Sequence, residues 1–383
     1  MKARTITIMA VMFICGSAWA GNASDILNRV KKEVAPDSRQ VVYELTVNEQ
    51  SEGPVVIRGV TSEALALKAL TDALTAAGVR YVNEATVYPS DNMALVSLPV
   101  ATMRTAGRHS AEMASQAVMG TPVRVLTEDD GWCRIQTPDG YIAWVPDSSI
   151  KQYGKEQMQA WKSDDKRLVV SALWQTHAFK TANGSGPRDV VTDLVLGAIV
   201  QPDQTVAPVG SRIKIILPDG RSGWAEASEL QPIREWADQP FDSQKILNTA
   251  YSLEGAPYLW GGTSIKCVDC SGLAKVSYLS NGIILRRDAS QQALTGRRLE
   301  ASQWREYQQG DLMFIGNAST GRVTHVAIYD GDGYYIHSSG RVKRNSVDPE
   351  SPDYLYSPLH SARIHGMEGT EGIVRVIDHP WYF

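Results

Sequence analysis

Three rhythms of apolar and polar positions divide the chain. Over residues 24–92 helical and strand spacings alternate, which predicts a small α+β unit. Asp25 to Val34 reads as a helix capped by Ser24, and Val41 to Val47 and Val55 to Val60 read as strands. Ser62 to Ala77 sets Leu65, Leu67, Ala69, Leu70 and Leu74 on an apolar stripe that stops at Gly78, and Val79 to Val87 follows as a strand. Short strands and turn dipeptides then take over, in a pattern that occurs twice. Gly120-Thr-Pro-Val-Arg-Val-Leu, Gly131-Trp-Cys-Arg-Ile, Pro138-Asp-Gly and Ala143-Trp-Val-Pro return about eighty residues on as Gly197-Ala-Ile-Val, Arg212-Ile-Lys-Ile-Ile, Pro218-Asp-Gly and Gly223-Trp-Ala-Glu. The repeat predicts two small β-barrels, over 93–152 and 167–232, with Trp132, Trp144 and Trp224 in their cores.

Residues 239–383 carry the chemistry. A helix is expected over Phe241 to Leu253, started by Asp242 or Ser243 and ended by Gly255. The rigid aromatic segment Pro257-Tyr-Leu-Trp260 then runs through Gly261-Gly262 into Cys267-Val-Asp269-Cys270-Ser271-Gly272 and an apolar run of helical spacing. Asp269 or Ser271 can cap that helix, which leaves Cys270 at its N-terminus, where the dipole favours a thiolate. Further on, Gly310-Asp-Leu-Met-Phe-Ile opens a strand, and Thr324-His325-Val-Ala-Ile-Tyr-Asp330 and Tyr334-Tyr-Ile-His337-Ser-Ser form a hairpin around Gly331-Asp-Gly333. With a three-residue loop, Asp330 pairs with Tyr334 and Ala327 faces His337. His325 and His337 then share one face of the sheet; a two-residue turn would separate them. The same-face register allows a nucleophile-base-orienter arrangement. Cys270 attacks, His325 takes its proton, His337 holds the His325 ring, and the Cys270 backbone N–H is the expected oxyanion donor.

Composition narrows the remaining classes. The chain has 383 residues, 43% hydrophobic and 21% charged, with a net charge of −4 and no basic tract that would mark nucleic-acid binding. Ten tryptophans and fifteen tyrosines against five phenylalanines suit β-rich domains and polar-ligand sites. Lys2 and Arg4, the apolar stretch Ile6 to Cys15, and Ala18-Trp19-Ala20 read as a cleavable signal peptide over 1–20, so a periplasmic or secreted protein without a membrane span is expected. Such a mature chain keeps Cys133, Cys267 and Cys270, an odd number that leaves at least one thiol free. Cys267 and Cys270 also form a C-x-x-C, whose redox reading lacks the strand-helix-strand context that it needs.

Asp269-Cys270-Ser271-Gly272-Leu273, Thr324-His325-Val-Ala-Ile-Tyr and Ile336-His337 together resemble the NlpC family of papain-like cysteine peptidases of the bacterial cell wall, over about 239–383. The paired repeats ahead of it resemble bacterial SH3-like domains, an arrangement similar to the γ-D-glutamyl-L-diamino-acid endopeptidase (dipeptidyl-peptidase VI) branch. Residues 24–92 resemble a BON-like domain, which that branch does not carry. The resemblance implies a papain-like α+β catalytic domain with Cys270, His325 and His337 as its catalytic set, and no metal or organic cofactor. It implies cleavage of the γ-D-Glu–diamino acid bond in murein stem peptides, L-Ala-γ-D-Glu-diamino acid, with a free N-terminal L-Ala. Tyr258, Asp269 and Ser271, with Ser290, would line the substrate site, and Glu112 and Tyr141 would join Asp269 around the ammonium. A monomer is expected. The alternatives are an endopeptidase or amidase on polymeric peptidoglycan, and a non-catalytic wall-binding protein.

Overall fold

The computed structural model describes residues 22–49 and 53–383. The expected signal peptide lies outside the described residues. The chain forms two compact units, one ending at Tyr88 and one beginning at Pro89.

In the first unit, α1 (Ala23–Val34) is capped by Asn22, whose side chain accepts from the Asp25 N–H at 2.9 Å, so the expected cap Ser24 lies inside the helix. β1 (Tyr43–Asn48) pairs antiparallel with β2 (Val55–Thr61), and α2 (Ala64–Ala76) crosses over to β3 (Tyr81–Asn83) and β4 (Thr86–Val87), both parallel to β2. The single strand expected over Val79 to Val87 is thus two short ones. The break falls where the Asn83 side chain accepts from the Ala85 N–H at 3.0 Å, a local turn that competes with the ladder. α2 buries Ala66, Leu70, Ala73 and Leu74 against Ile26, Val30 and Ile57. Leu65, expected on that stripe, is 56% exposed, because the buried face runs one position later.

The repeat becomes two sheets of one topology. The first copy comprises β5 (Met93–Val96), β6 (Val100–Arg104), β7 (Met113–Val118), β8 (Pro122–Asp129), β9 (Trp132–Gln136), β10 (Ile142–Pro146) and β11 (Ile150–Tyr153), hydrogen-bonded in the order β11-β5-β8-β9-β10-β6-β7. After α3 (Lys155–Ser163) the second copy follows as β12 (Leu168–Val170), β13 (Thr176–Phe179), β14 (Val190–Leu194), β15 (Ile199–Pro202), β16 (Arg212–Ile216), β17 (Ser222–Glu226) and β18 (Leu230–Pro232), in the order β18-β12-β15-β16-β17-β13-β14. Position for position the two orders are identical. Each Pro-Asp-Gly forms the turn between equivalent strands, with Gly140 at φ +84° and Gly220 at φ +88°. Among the described residues both sheets pair along an open path, not the closed ring of the expected barrels. Trp144 and Trp224 are half-buried, since alternation turns Ala143 and Val145 inward beside Trp144, and Ala225 beside Trp224. Trp132 is buried, against Gly107.

The remainder begins with α4 (Ile233–Ala237) and α5 (Ser243–Tyr251), the latter capped by Asp242, which accepts from the Lys245 N–H at 3.0 Å. β19 (Thr263–Ser264) and β20 (Cys267–Val268) form a small hairpin ahead of α6 (Cys270–Ser280); β21 (Ile283–Leu285) and α7 (Ala289–Gln292) follow. β22 (Arg297–Glu300), β23 (Leu312–Asn317), β24 (Arg322–Gly331), β25 (Tyr334–Ser339), β26 (Arg341–Ser346) and β27 (His360–Arg363) make an antiparallel sheet ordered β22-β27-β23-β24-β25-β26, and β28 (Ile373–Arg375) pairs with β21. Leu273, Ala274, Val276 and Tyr278 of α6 share one core with Val326, Ile328, Ile336 and Val342 of the sheet. Among the described residues no helix is long and apolar enough to cross a membrane.

Candidate active site

Asp269 starts α6. Its Oδ1 accepts from the Gly272 N–H at 2.7 Å and its Oδ2 from the Gly261 N–H at 2.9 Å. This draws the Gly261-Gly262 loop so close that a Cβ on Gly272 would meet the Gly262 carbonyl oxygen at 1.8 Å. The same carboxylate forms a buried ion pair with Arg287, 2.6 Å from Nη2 to Oδ2, with the two side chains 2% and 6% exposed. Burial works against the Arg287 charge, but Asp269 outweighs it and raises its pKa. Arg287 also donates to Ser271 Oγ at 2.9 Å and to the Ala114 carbonyl at 3.1 Å, which ties the first repeat to the start of α6.

Cys270 is buried at the first position of α6. The surroundings of the sulfur work against the expected thiolate preference. Burial, with the Asp269 charge second, pushes the thiol up to about 11, against the Val326 and Ser271 N–H groups and Arg287, which pull it down. The Val326 N–H facing the sulfur places the thiol beside the strand position that follows His325. Tyr258 stands by the same thiol, its phenol raised first by burial and then by Cys270 and Asp269.

The two histidines meet. His325 Nε2 and His337 Nδ1 are 2.8 Å apart, and His337 Nε2 lies 3.1 Å from Asn345 Oδ1. The hairpin achieves this by a route other than the expected three-residue loop. Gly331 pairs with Tyr334 around the two-residue turn Asp332-Gly333, both at positive φ, and a bulge after Tyr329 absorbs Asp330. Loop and bulge together keep the offset, with Ile328 opposite Ile336. The relay has one consistent set of tautomers. Asn345 Nδ2 donates to the Asp353 carbonyl at 3.0 Å, so Oδ1 is the atom that faces His337 and accepts from its Nε2–H. His337 Nδ1 then accepts from His325 Nε2–H, which leaves His325 Nδ1 bare and able to take a proton. Burial lowers His325 to about 3, helped by His337 and Lys343, and lowers His337 to about 4, so both are neutral near pH 7.

The remaining expected residues are spread around this centre. Ser271 is buried between Asp269 and Arg287. Ser290 is exposed on α7. Tyr141 is buried in the core of the first repeat, close enough to Arg287 to act on its charge. Glu112 is exposed, and its carboxylate makes no hydrogen bond or ion pair among the described residues. Gln116 joins the first repeat to the nucleophile loop: its Oε1 accepts from the Thr263 N–H and Ser264 Oγ, both at 2.9 Å, and from Cys267 Sγ at 3.5 Å. Cys133, Cys267 and Cys270 all carry free thiols. No sequence pattern points to Arg287, Gln116 or Asn345.

A cysteine capped at a helix start, with an imidazole relay on the neighbouring strands, is the constellation of a cysteine peptidase. Residues 255–363 match the model of the NlpC/P60 family, and residues 103–150 match that of the bacterial dipeptidyl-peptidase Sh3 domain. The chain is 34% identical over 236 residues to the γ-D-glutamyl-L-lysine dipeptidyl-peptidase of Bacillus subtilis, covering 58% of this chain and 71% of the relative. It is 27% identical over 267 residues to dipeptidyl-peptidase 6 of Lysinibacillus sphaericus, covering 64% of this chain and 88% of the relative. An NlpC/P60 family protein from Bacillus cereus has a similar fold, with a TM-score of 0.58 at 22% identity over 71% of this chain and 99% of that one. The chain belongs to the NlpC/P60 family: it is a cysteine peptidase with a bacterial SH3-like domain ahead of its catalytic domain.

Proposed function

We propose that this enzyme hydrolyses the γ-D-Glu–diamino acid bond of stem peptides whose N-terminal L-Ala is free. His325 Nδ1 takes the Cys270 proton as the sulfur attacks the γ-carbonyl, and the backbone N–H of Cys270 receives the oxyanion. The imidazolium gives its proton to the leaving amine, and water then hydrolyses the thioester, with His325 again as base. His337 holds the His325 ring, and Asn345 fixes the tautomer of His337. Because burial favours the neutral thiol and imidazole, proton transfer belongs with attack and not with a standing ion pair.

The observation that carries the substrate reading is the Arg287 junction, which makes the first SH3-like sheet part of the wall beside the nucleophile. From that wall Glu112 meets the ammonium of L-Ala with an unengaged carboxylate, with Tyr141 beside it. Asp269, already paired with Arg287, has the lesser share, and Tyr258, Ser271 and Ser290 line the acyl side. The relatives named as dipeptidyl-peptidases support this reading. The chain acts on released stem peptides in the periplasm or outside the cell, and takes part in murein recycling. Mass spectrometry of L-Ala-γ-D-Glu-diaminopimelate incubated with reduced enzyme tests it. Release of L-Ala-γ-D-Glu is expected from wild type and from Cys267→Ala, and none from Cys270→Ala; activity that survives in Cys270→Ala overturns the assignment.

A further inference from the structure

β26 carries a cation that the mechanism above does not use. Strand pairing sets Arg341 opposite Ser339, Lys343 opposite His337 and Asn345 opposite Tyr335, so the three alternate residues share the face that bears His337. Asn345 belongs to the relay. Lys343 is half-buried and makes no hydrogen bond or ion pair among the described residues. Its neighbour on the opposite face, Arg344, is fully matched, 2.9 Å from Asp330 and stacked 3.6 Å over the Tyr334 ring. An ammonium without a counter-charge in the fold is available to a carboxylate of a ligand. It also works against the base, since its field lowers both imidazoles.

The position of β26 gives the cation a use. Residues Gly255 to Tyr258 run alongside it, with Gly255 N–H to Val342 O at 2.9 Å, Val342 N–H to Ala256 O at 2.8 Å and Tyr258 N–H to Gly340 O at 3.0 Å. The strand therefore ends at Tyr258, whose phenol stands by Cys270. Among the described residues the first SH3-like copy bonds to Thr263, Ser264, Cys267, Lys275, Arg286, Arg287 and His379, and not to β26. Among the described residues an unmatched carboxylate lies on the SH3-like side of the nucleophile, at Glu112, and unmatched cations lie on the β26 side, at Lys343 and the exposed Arg341. A ligand complementary to this layout has an ammonium at one end and carboxylates beyond the scissile bond.

We infer that Lys343, assisted by Arg341, is a specificity residue that binds a carboxylate of the stem peptide. The inference rests on the function proposed above. The carboxylate has two possible sources, the α-carboxylate of D-Glu and the second carboxylate of a diamino acid such as diaminopimelate. Three peptides separate them: L-Ala-γ-D-Glu-diaminopimelate, L-Ala-γ-D-Glu-L-Lys, and the L-Lys peptide with the D-Glu α-carboxylate amidated.

The experiment is kcat/KM on all three for wild type, Lys343→Met and Lys343→Arg, at neutral pH, well above both imidazole values. Loss of a charge-assisted contact lowers kcat/KM by about tenfold or more. A loss in Lys343→Met confined to the diaminopimelate peptide, with recovery in Lys343→Arg, supports the inference and assigns the diamino acid. A loss on both unamidated peptides but not on the amidated one supports it and assigns D-Glu. Equal changes on all three overturn it and leave Lys343 as a field on the histidines. If wild type cleaves none of the peptides, the proposed function falls and this inference with it.

Discussion

The two copies of the repeat have the same strand order, the same Pro-Asp-Gly turn and an outward tryptophan at the same place, yet they meet the peptidase region differently. The first copy sends buried groups into it. Ala114 accepts from Arg287, Gln116 laces the nucleophile loop, and Asp139 pairs with Lys275 where the two side chains are 3% and 17% exposed. Burial would raise the Asp139 carboxyl, but Lys275 wins and holds it below its ordinary value. The second copy reaches the same loop through Asp193 and Lys266, a pair 28% and 35% exposed. Topology is thus shared and the role is not. What separates the copies at the nucleophile loop is whether the polar group there is desolvated, because a buried pair becomes obligatory once formed while a solvated pair contributes little; the buried Arg167 of the second copy donates elsewhere, to the Tyr382 carbonyl at 2.9 Å.

Breaking the buried junction is the largest expected effect. Arg287→Met leaves Asp269 uncompensated and should cost about 3–5 kcal/mol in urea unfolding, with loss of hydrolysis, because the same carboxylate holds the start of α6. Next is acid. His325 near 3, and His337 and His379 near 4, all lie below the ordinary value of 6.5, chiefly through burial. The unfolded chain therefore binds more protons below about pH 6.5, so unfolding free energy should be full above that pH and fall steadily towards pH 4. His379 donates to Pro138 of the first copy at 3.0 Å, so His379→Gln should flatten part of that slope, as read by urea titrations across pH. Glu112→Gln should raise KM for a free-amine peptide about tenfold and leave stability unchanged. Asp193→Asn, in the second copy, should change stability by less than about 1 kcal/mol and activity by less than about twofold. An Asp193 effect as large as that of Arg287 would break the contrast.

Much of this was legible in the sequence wherever a local period decides it. The nucleophile follows from one cap and one helix start, and the two histidines follow from an alternation of two positions. The hairpin shows the limit, since turn and bulge reached the expected face by a different loop. Arg287, Gln116 and Asn345 were not legible, because their partners are a carboxylate, a loop and an imidazole made neighbours by folding alone. Leu65, Trp144 and Trp224 differ from expectation for a related reason: alternation or a one-residue phase, and not hydrophobicity alone, decides their burial. At the thiol, the helix terminus is opposed by desolvation, which no local pattern displays.

The central claim is that the first SH3-like copy makes the enzyme a reader of free amino termini. Its most direct test is hydrolysis of L-Ala-γ-D-Glu-diaminopimelate beside an N-acetylated copy, under reducing conditions. The account predicts release of L-Ala-γ-D-Glu from the free peptide and none of its acetylated counterpart from the other. Equal cleavage of both would contradict it and make this an endopeptidase of the wall itself.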